Sequence, residues 1–353
     1  PDGTLSLVEF ATGRHTSGLL AMEDTADIGD GWYHGIALQE AAFLSTGGNV
    51  TFGLTENGPL LARLNIRVEW LVPEEFDFST SRRSTKFAPL VIEHRVTLRR
   101  GSAHLEVTTT VHNTIRDHRL RLYCPSHFAN PCHFWTDTPF DAIERPITLR
   151  ADGHQLRELP VEMAPQQNWV AIQEGAKGLA LVAPGQYESA ALDQPDHPLC
   201  VTLLRAFRRA VFTDGNEGGQ IPGTHVFQLA ILPFTPGPVT FTDLYRTAQS
   251  LAAPVRAVFS DRAELDMRLA KPVKRPVNVP KIEGSFVLSA QYQSGPREWT
   301  FRVFNPQAES ATVRLAGGSE WRTTNLLGQE DEMLLTHDFE LKPKKIATFK
   351  CTV

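Results

Sequence analysis

The chain has 353 residues, 41% of them hydrophobic and 21% charged, and its formal net charge is −5 at pH 7. Its length exceeds that of a typical single core, so two domains are expected. The mild negative charge excludes a basic surface for nucleic acid or an anionic membrane, and no apolar run approaches the roughly 20 residues that span a bilayer. Four scattered cysteines form no Cys-x-x-Cys pair, which predicts reduced thiols in a cytoplasmic protein.

Alternation of apolar and polar residues dominates the chain. It predicts half-buried antiparallel strands at residues 65–72, 95–99 and 104–111, with a hairpin turn between the last two. Helix periodicity is confined to residues 242–258 and, more weakly, 261–269. The sequence therefore predicts an all-β fold built from packed sheets.

A proline-rich segment divides the chain. Residues 271–282 hold three prolines and four cations, and proline cannot donate to a strand ladder, so this segment is predicted as an extended linker or an edge strand and not as a core strand. A large β region at 1–270 precedes it, and the strand patterns of 283–353 predict a small β-sandwich. The chain begins at Pro1 with no initiating Met and no signal-peptide pattern, which predicts that it was cut from a longer protein.

Residues 111–126 read as two strands with a charged corner between them. Leu120 and Leu122 alternate with Arg119 and Arg121, so one strand face is predicted to be buried and the other wet. The simplest interpretation is a solvated edge whose local ion pairs contribute ~0 to 1 kcal/mol each.

An acidic stretch lies near the start of the chain, where four carboxylates in residues 23–30 precede Trp32 and Tyr33. Paired carboxylates suit glycoside hydrolysis or a hard cation, and aromatic faces stack on sugar rings. The alternative is an acidic loop held by Asx turns at its glycines.

Two further motifs carry weaker signals. Two Cys and two His fall within residues 124–133, but their spacing fits no common zinc site, so no metal is predicted. The glycine-rich residues 214–223 lack the spacing of a phosphate-binding loop and read as a connection between strands.

Asn113 followed by Asp-His-Arg-Leu-Arg at 117–121 resembles a hallmark of the large β-domain of glycoside hydrolase family 38 α-mannosidases. Further segments resemble the same family in the same order. They are residues 5–14, the Gly-Asp-aromatic stretch at 29–33, Leu-Leu-Arg at 203–205 and the final strand at 341–349.

The resemblance implies a galactose-mutarotase-like super-sandwich followed by a smaller C-terminal β-sandwich. It also implies an aromatic ring at the edge of the sugar site. The family's Ser-Tyr after Gly-Asp is replaced here by Gly31–Trp32, with Tyr33 one place later, which leaves open which ring has that role. The residues expected to contact substrate are Asp27, Asp30, Trp32, Tyr33, Arg205, Asp214 and Gln220.

The family's chemistry sits in a separate N-terminal α/β domain that supplies a zinc ion and an Asp nucleophile for retaining hydrolysis. This chain shows neither α/β alternation nor a His-x-Asp ligand pair, so no catalytic residue, metal ligand or cofactor is predicted in it. The resemblance implies α-mannosides and the chain's own N-terminal catalytic domain as partners, and a homo-oligomer is possible.

Two other classes of function stay open. One is a stand-alone carbohydrate-binding module. The other is a mutarotase-like epimerase, which needs a histidine and a carboxylate facing each other across a cleft. His94, His104, His118 and His225 are its candidates.

Overall fold

The computed structural model describes residues 2–10, 12–37, 41–157, 160–208, 217–238, 240–255, 279–335 and 338–353, with the backbone only for residues 330–334. The chain forms two compact units: Pro1–Thr138 with Ile143–Pro236, and Pro139–Ala142 with Gly237–Val353. The division after Pro236 precedes the linker predicted at 271–282. Residues 271–278 lie outside the described part, so the linker stays a prediction.

The first unit is built from strands. They are β1 (Leu5–Glu9), β2 (Arg14–Leu19), β3 (Ala21–Ala26), β4 (Phe43–Leu44), β5 (Asn49–Asn57), β6 (Leu61–Pro73), β7 (Phe76–Asp77), β8 (Arg82–Arg83), β9 (Phe87–Arg99), β10 (Leu105–Asn113), β11 (His118–Cys124), β12 (His133–Thr138), β13 (Asp141–Pro146), β14 (Ala164–Pro165), β15 (Trp169–Glu174), β16 (Lys177–Val182), β17 (Glu188–Ala191), β18 (Leu199–Ala206) and β19 (Gly223–Phe234).

Two sheets of this unit pack face to face. In the described residues, one has nine strands in the order β13-β12-β15-β16-β19-β10-β9-β6-β5, and the other has six in the order β14-β17-β18-β11-β3-β4. One core cluster joins Ile92 and Val107 of the nine-stranded sheet to Met22 and Leu120 of the six-stranded sheet, all of them buried. In β6 and β10 the residues of this core alternate along the strand, as the sequence predicts.

The second unit holds one described helix and a smaller sandwich. Its elements are α1 (Thr240–Ala252), β20 (Lys281–Glu283), β21 (Val287–Gly295), β22 (Glu298–Phe304), β23 (Ala311–Ala316), β24 (Glu320–Thr324), β25 (Glu330–Leu335), β26 (Phe339–Leu341) and β27 (Ile346–Thr352). Its sheets have the orders β20-β23-β26 and β21-β22-β27-β24-β25, and buried Phe301, Trp321 and Phe349 form the centre of its core. The predicted all-β fold with a large and a small sandwich is confirmed.

The helix is shorter than predicted. The sequence pattern placed it at 242–258, but α1 ends at Ala252. Pro254 disfavours helical backbone at the residue before it, and Val255, predicted on the apolar face, is fully exposed. The weaker helix predicted at 261–269 lies outside the described residues. In the described part of the chain, no helix has both the length and the hydropathy to cross a membrane.

Candidate functional site

The charged corner between β10 and β11 is buried. Asp117 and His118 are 0% exposed, and Arg119 and Arg121 are 5% exposed. The interpretation of this corner as a solvated edge is therefore wrong. The reason is topological, because β11 lies between β3 and β18 in the middle of the six-stranded sheet, and other parts of the chain cover both of its faces.

Asp117 is the centre of a hydrogen-bond network at one end of that sheet. Its φ of 51° is a left-handed conformation that Asp tolerates better than most side chains. Its carbonyl oxygen accepts the N–H of Asp27 at 2.9 Å. Its carboxylate accepts Nη2 of Arg208 and Nε2 of Gln220, each at 2.6 Å. One buried residue thus joins the end of β3, the end of β18 and the segment before β19.

The acidic stretch forms a loop that closes on itself. The N–H of Ile28 donates to His34 O, and the N–H of Asp30 donates to Tyr33 O, both at 2.9 Å. Gly29 allows this closure, because a Cβ at that position would lie 1.7 Å from Tyr33 O. The Asp30 carboxylate accepts the N–H groups of Trp32 and Tyr33 at 2.8 and 3.1 Å, and these bonds lower its pKa. The Asx turns expected from the alternative interpretation, an acidic loop without a ligand, are present, and they fix the conformation of the loop.

Arg205 fastens this loop to the sheet. Its Nε and Nη2 donate to the two carboxylate oxygens of Asp27 at 2.7 and 3.1 Å, and Nη2 also donates to Asp30 O at 2.7 Å. Asp27 is fully buried, and burial raises its pKa although the Arg205 guanidinium opposes the shift. Nε and Nη2 of Arg205 are therefore engaged by the loop itself, and they hold its backbone in position.

Trp32 is the ring that this loop presents to solvent. Its side chain is 79% exposed, whereas Tyr33 is 39% exposed and lies against His34 with ring centroids 4.9 Å apart. The sequence left the choice between these rings open. The structure makes Trp32 the more exposed of the two rings and places Tyr33 against His34.

A charged layer lies beside the loop on the six-stranded sheet. Arg121 donates through Nε to Glu23 at 3.0 Å, and both side chains are 6% exposed. His34 is 4% exposed, and burial, followed by the positive charges of Arg119, Arg205 and Arg121, lowers its pKa to about 3. The imidazole of His34 is therefore neutral at physiological pH.

A second buried cluster was missed by sequence reasoning. His118 Nδ1 lies 2.6 Å from Asp24 Oδ1, and Arg83 Nη2 donates to Asp24 Oδ2 at 2.6 Å. His118 Nε2 lies 3.0 Å from the side-chain oxygen of Asn113, which also accepts the N–H of Ile115. Asp24 lies 94 residues from His118 and 59 residues from Arg83, so local patterns held no signal for these contacts.

The structure brings most of the predicted contact residues into one network. Asp27, Asp30, Trp32, Tyr33 and Arg205 share the closed loop and its anchor. Gln220 joins them through Asp117, to which it is bonded twice because Gln220 Oε1 also accepts the Asp117 N–H at 3.2 Å. Asp214 lies outside the described residues.

Residues 2–213 match the family model of the glycosyl hydrolases family 38 C-terminal domain. The match covers more than half of the chain, and the chain belongs to this family.

Known proteins agree with this assignment. A curated relative from Halalkalibacterium halodurans, named a putative mannosylglycerate hydrolase, is 22% identical over 99% of this chain and 40% of its own length. An α-mannosidase structure from Enterococcus faecalis V583 matches with a TM-score of 0.85 and 22% identity, over 99% of this chain and 40% of that one. A second family 38 structure from Enterococcus faecalis matches with a TM-score of 0.82, 21% identity and 99% and 42% coverage. The chain thus spans about two fifths of the length of these proteins.

Proposed function

We propose that this chain is the C-terminal β-region of a retaining α-mannosidase, and that it lines one side of the sugar site of the full-length protein. Its family supports the glycosidase class. The names of two similar proteins, an α-mannosidase and a putative mannosylglycerate hydrolase, support a mannoside substrate. The observation that carries the site is the closed loop that holds an exposed Trp32 at one end of the six-stranded sheet.

The proposed role of the loop is to fix the position of the Trp32 ring, on which a sugar ring stacks. A tryptophan ring gives a large apolar face at a low cost in conformational entropy, and such a face suits the C–H side of a pyranose. Arg205, Asp27 and Asp30 fix the loop backbone through bonds of 2.7–3.1 Å. These residues position Trp32, and the ring makes the sugar contact.

We place the hydrolytic chemistry and its zinc ion in the separate catalytic domain. Among the residues that the structure describes, no group of three or more His, Cys, Asp or Glu side chains could hold a metal ion. The described residues therefore do not fit the zinc site, and no step of hydrolysis is assigned to them. The epimerase alternative gains no support from the candidate pair that the structure forms, because His118 and Asp24 are both fully buried.

The proposal is tested by hydrolysis of an aryl α-mannoside. The full-length protein is expected to release the aryl alcohol and to retain the anomeric configuration in the first product, whereas the 353-residue chain alone is expected to be inactive. Turnover by the chain alone would contradict the assignment of hydrolysis to the separate catalytic domain. A full-length protein that is active on another glycoside and inactive on α-mannosides would contradict the substrate class.

The role of Trp32 is tested in the full-length protein. Trp32→Ala is expected to lower kcat/KM for the α-mannoside by about tenfold, because an aromatic contact contributes about 1 kcal/mol beyond its buried area. Trp32→Phe should keep most of the activity. Tyr292→Ala is the matched control, since Tyr292 is a 50% exposed ring in the small sandwich. If Trp32→Ala and Tyr292→Ala change kcat/KM equally, then Trp32 does not contact the substrate.

A further inference from the structure

The outer face of the nine-stranded sheet carries a trough of about 690 Å³ that crosses β5, β6, β9, β10 and β19. Phe52, Ile66 and His94 form a cross-strand row along its middle. Side chains alternate between the faces of a strand, and Ile66 and His94 are 4% and 2% exposed. Ile66 and His94 therefore line the trough with backbone atoms, whereas Phe52 at the edge of the sheet is 61% exposed. The neighbouring rows on each side supply the polar side chains of the trough.

The first of these rows is polar and crosses all five strands. Its members are direct register partners from edge to interior: Gly53, Asn65, Arg95, Thr108 and Gln228. The four gaps between the strands make the row about 19 Å long at about 4.8 Å per gap. Gly53 leaves the edge end open, since a Cβ there would have no neighbour within 4 Å.

The second row runs parallel to the first. It consists of Thr51, Arg67, Glu93, Thr110 and Val226. Val226 is the apolar member at one end of the second row. The other members of that row carry hydroxyl, guanidinium or carboxylate groups. The trough is thus a long polar surface without the apolar pocket that binds drug-like ligands or anchors hydrophobic peptides.

Among the described residues of these two rows, Arg95 is the one arginine for which no ion pair is formed. Arg63, Arg67 and Arg99 each form an ion pair with a glutamate. Arg95 lies between them, is exposed, and has no ion-pair partner among the described residues. An unpaired guanidinium in the middle of a polar row is complementary to a carboxylate, which it can bind through two parallel hydrogen bonds.

We propose that this trough binds an acidic oligosaccharide, a linear chain of sugar rings that carries carboxylates. One carboxylate lies on Arg95. Sugar hydroxyls both donate and accept hydrogen bonds, as do the side chains of Asn65, Thr108 and Gln228, and the length of the row accommodates several rings. The trough lies on a different sheet from Trp32, so this binding is separate from the proposed hydrolytic site.

Isothermal titration calorimetry of the whole protein at physiological salt tests the proposal, with tetragalacturonate as the acidic probe and cellotetraose as the neutral one. Tetragalacturonate should bind, and cellotetraose should bind at least about tenfold more weakly. Arg95→Gln should weaken tetragalacturonate binding by about tenfold or more, because hydrogen bonds to charged groups contribute that much. Arg100→Gln, an exposed arginine in the turn after β9, is the matched control and should leave the affinity unchanged.

A second variant tests the same trough from its open end. Gly53→Glu has space for its side chain and places a negative charge in the row, so it should also abolish binding of the acidic probe. Absence of tetragalacturonate binding, equal binding of cellotetraose, or wild-type affinity in Arg95→Gln would each overturn the proposal. Neither probe is an α-mannoside, so these outcomes are independent of the mannosidase assay.

Discussion

Asp117 connects segments that lie far apart in the sequence, and its energetic role follows from its burial. A fully buried carboxylate is stable only when its charge is compensated and its oxygens accept hydrogen bonds. Arg208 and Gln220 meet both needs, with donor distances of 2.6 Å. The same residue holds the backbone of Asp27, so its loss is expected to loosen the loop that presents Trp32.

Asp117→Asn keeps the shape of the side chain and its tolerance for left-handed backbone while removing the charge. We expect the free energy of unfolding to fall by about 1.5–3 kcal/mol, the usual contribution of hydrogen bonds to a charged group. Urea denaturation measures this loss. Asp152→Asn is the control, because its pair with Arg150 is half-exposed and contributes less than about 1 kcal/mol. Equal denaturation midpoints for wild type and Asp117→Asn would contradict the assigned role.

His34 makes the stability of the chain depend on pH. Its pKa is about 3 in the folded chain and about 6.5 in the unfolded chain. Between these values the unfolded chain takes up a proton that the folded chain does not, so stability falls as the pH decreases from about 6.5 towards 3. His34→Gln should therefore lose less stability than wild type between pH 7 and pH 5, by up to about 2 kcal/mol.

The comparison is made by urea denaturation at both pH values. His133→Gln is the matched control, since the His133 side chain is 48% exposed, and it should show the wild-type pH dependence. If His34→Gln and His133→Gln lose the same stability on acidification, then His34 is not the group responsible.

Local patterns predicted the turn chemistry of these residues and missed their partners. Asp30 is a short carboxylate followed by Gly31, and it forms the Asx turn that its type favours. Asp117 bonds side chains 91 and 103 positions away, and His118 lies 94 positions from Asp24. Such contacts depend on which strands become neighbours, and alternation within one strand does not encode that information.

At the scale of elements, alternation predicted the strands well and their surroundings poorly. The patterns at 65–72 and 95–99 fall within β6 and β9, and the pattern at 104–111 coincides with β10 except for His104, which precedes the strand. The same alternation in β11 indicated a wet face for Arg119 and Arg121, which are in fact buried. The two-residue period of apolar and polar positions shows which side chains share a face of a strand, but it does not show whether another part of the chain covers that face.

The pair Glu23–Arg121 links β3 to β11 and offers a prediction about that strand pairing. Removing one partner leaves an uncompensated buried charge, so Glu23→Leu and Arg121→Leu should each cost about 3–5 kcal/mol of unfolding free energy. The double variant should be much more stable than the sum of the two losses implies, because apolar replacement of a whole buried pair is often close to neutral. Denaturation of all four chains completes the cycle, and additive losses would contradict a buried, coupled pair.

For the whole molecule, the order of motifs carried more information than any single motif. Modest resemblances at 5–14, 29–33, 113–121 and 203–205 pointed to one family, and residues 2–213 match its C-terminal domain. The contacts divide the chain into two units after Pro236. The linker at 271–282 stays a prediction, because residues 271–278 lie outside the described residues.

The proposed function requires a catalytic domain in the same protein, so the mass of the native gene product in its own cells tests it most directly. The proposal predicts a product of the size of the curated relative, about 98 kDa, because the 39.2 kDa chain spans 40% of that protein's length. An antibody raised against this chain should detect a single species of about that mass, and this species should carry the α-mannosidase activity through purification. A native species of about 39 kDa, separate from any α-mannosidase activity, would contradict the account.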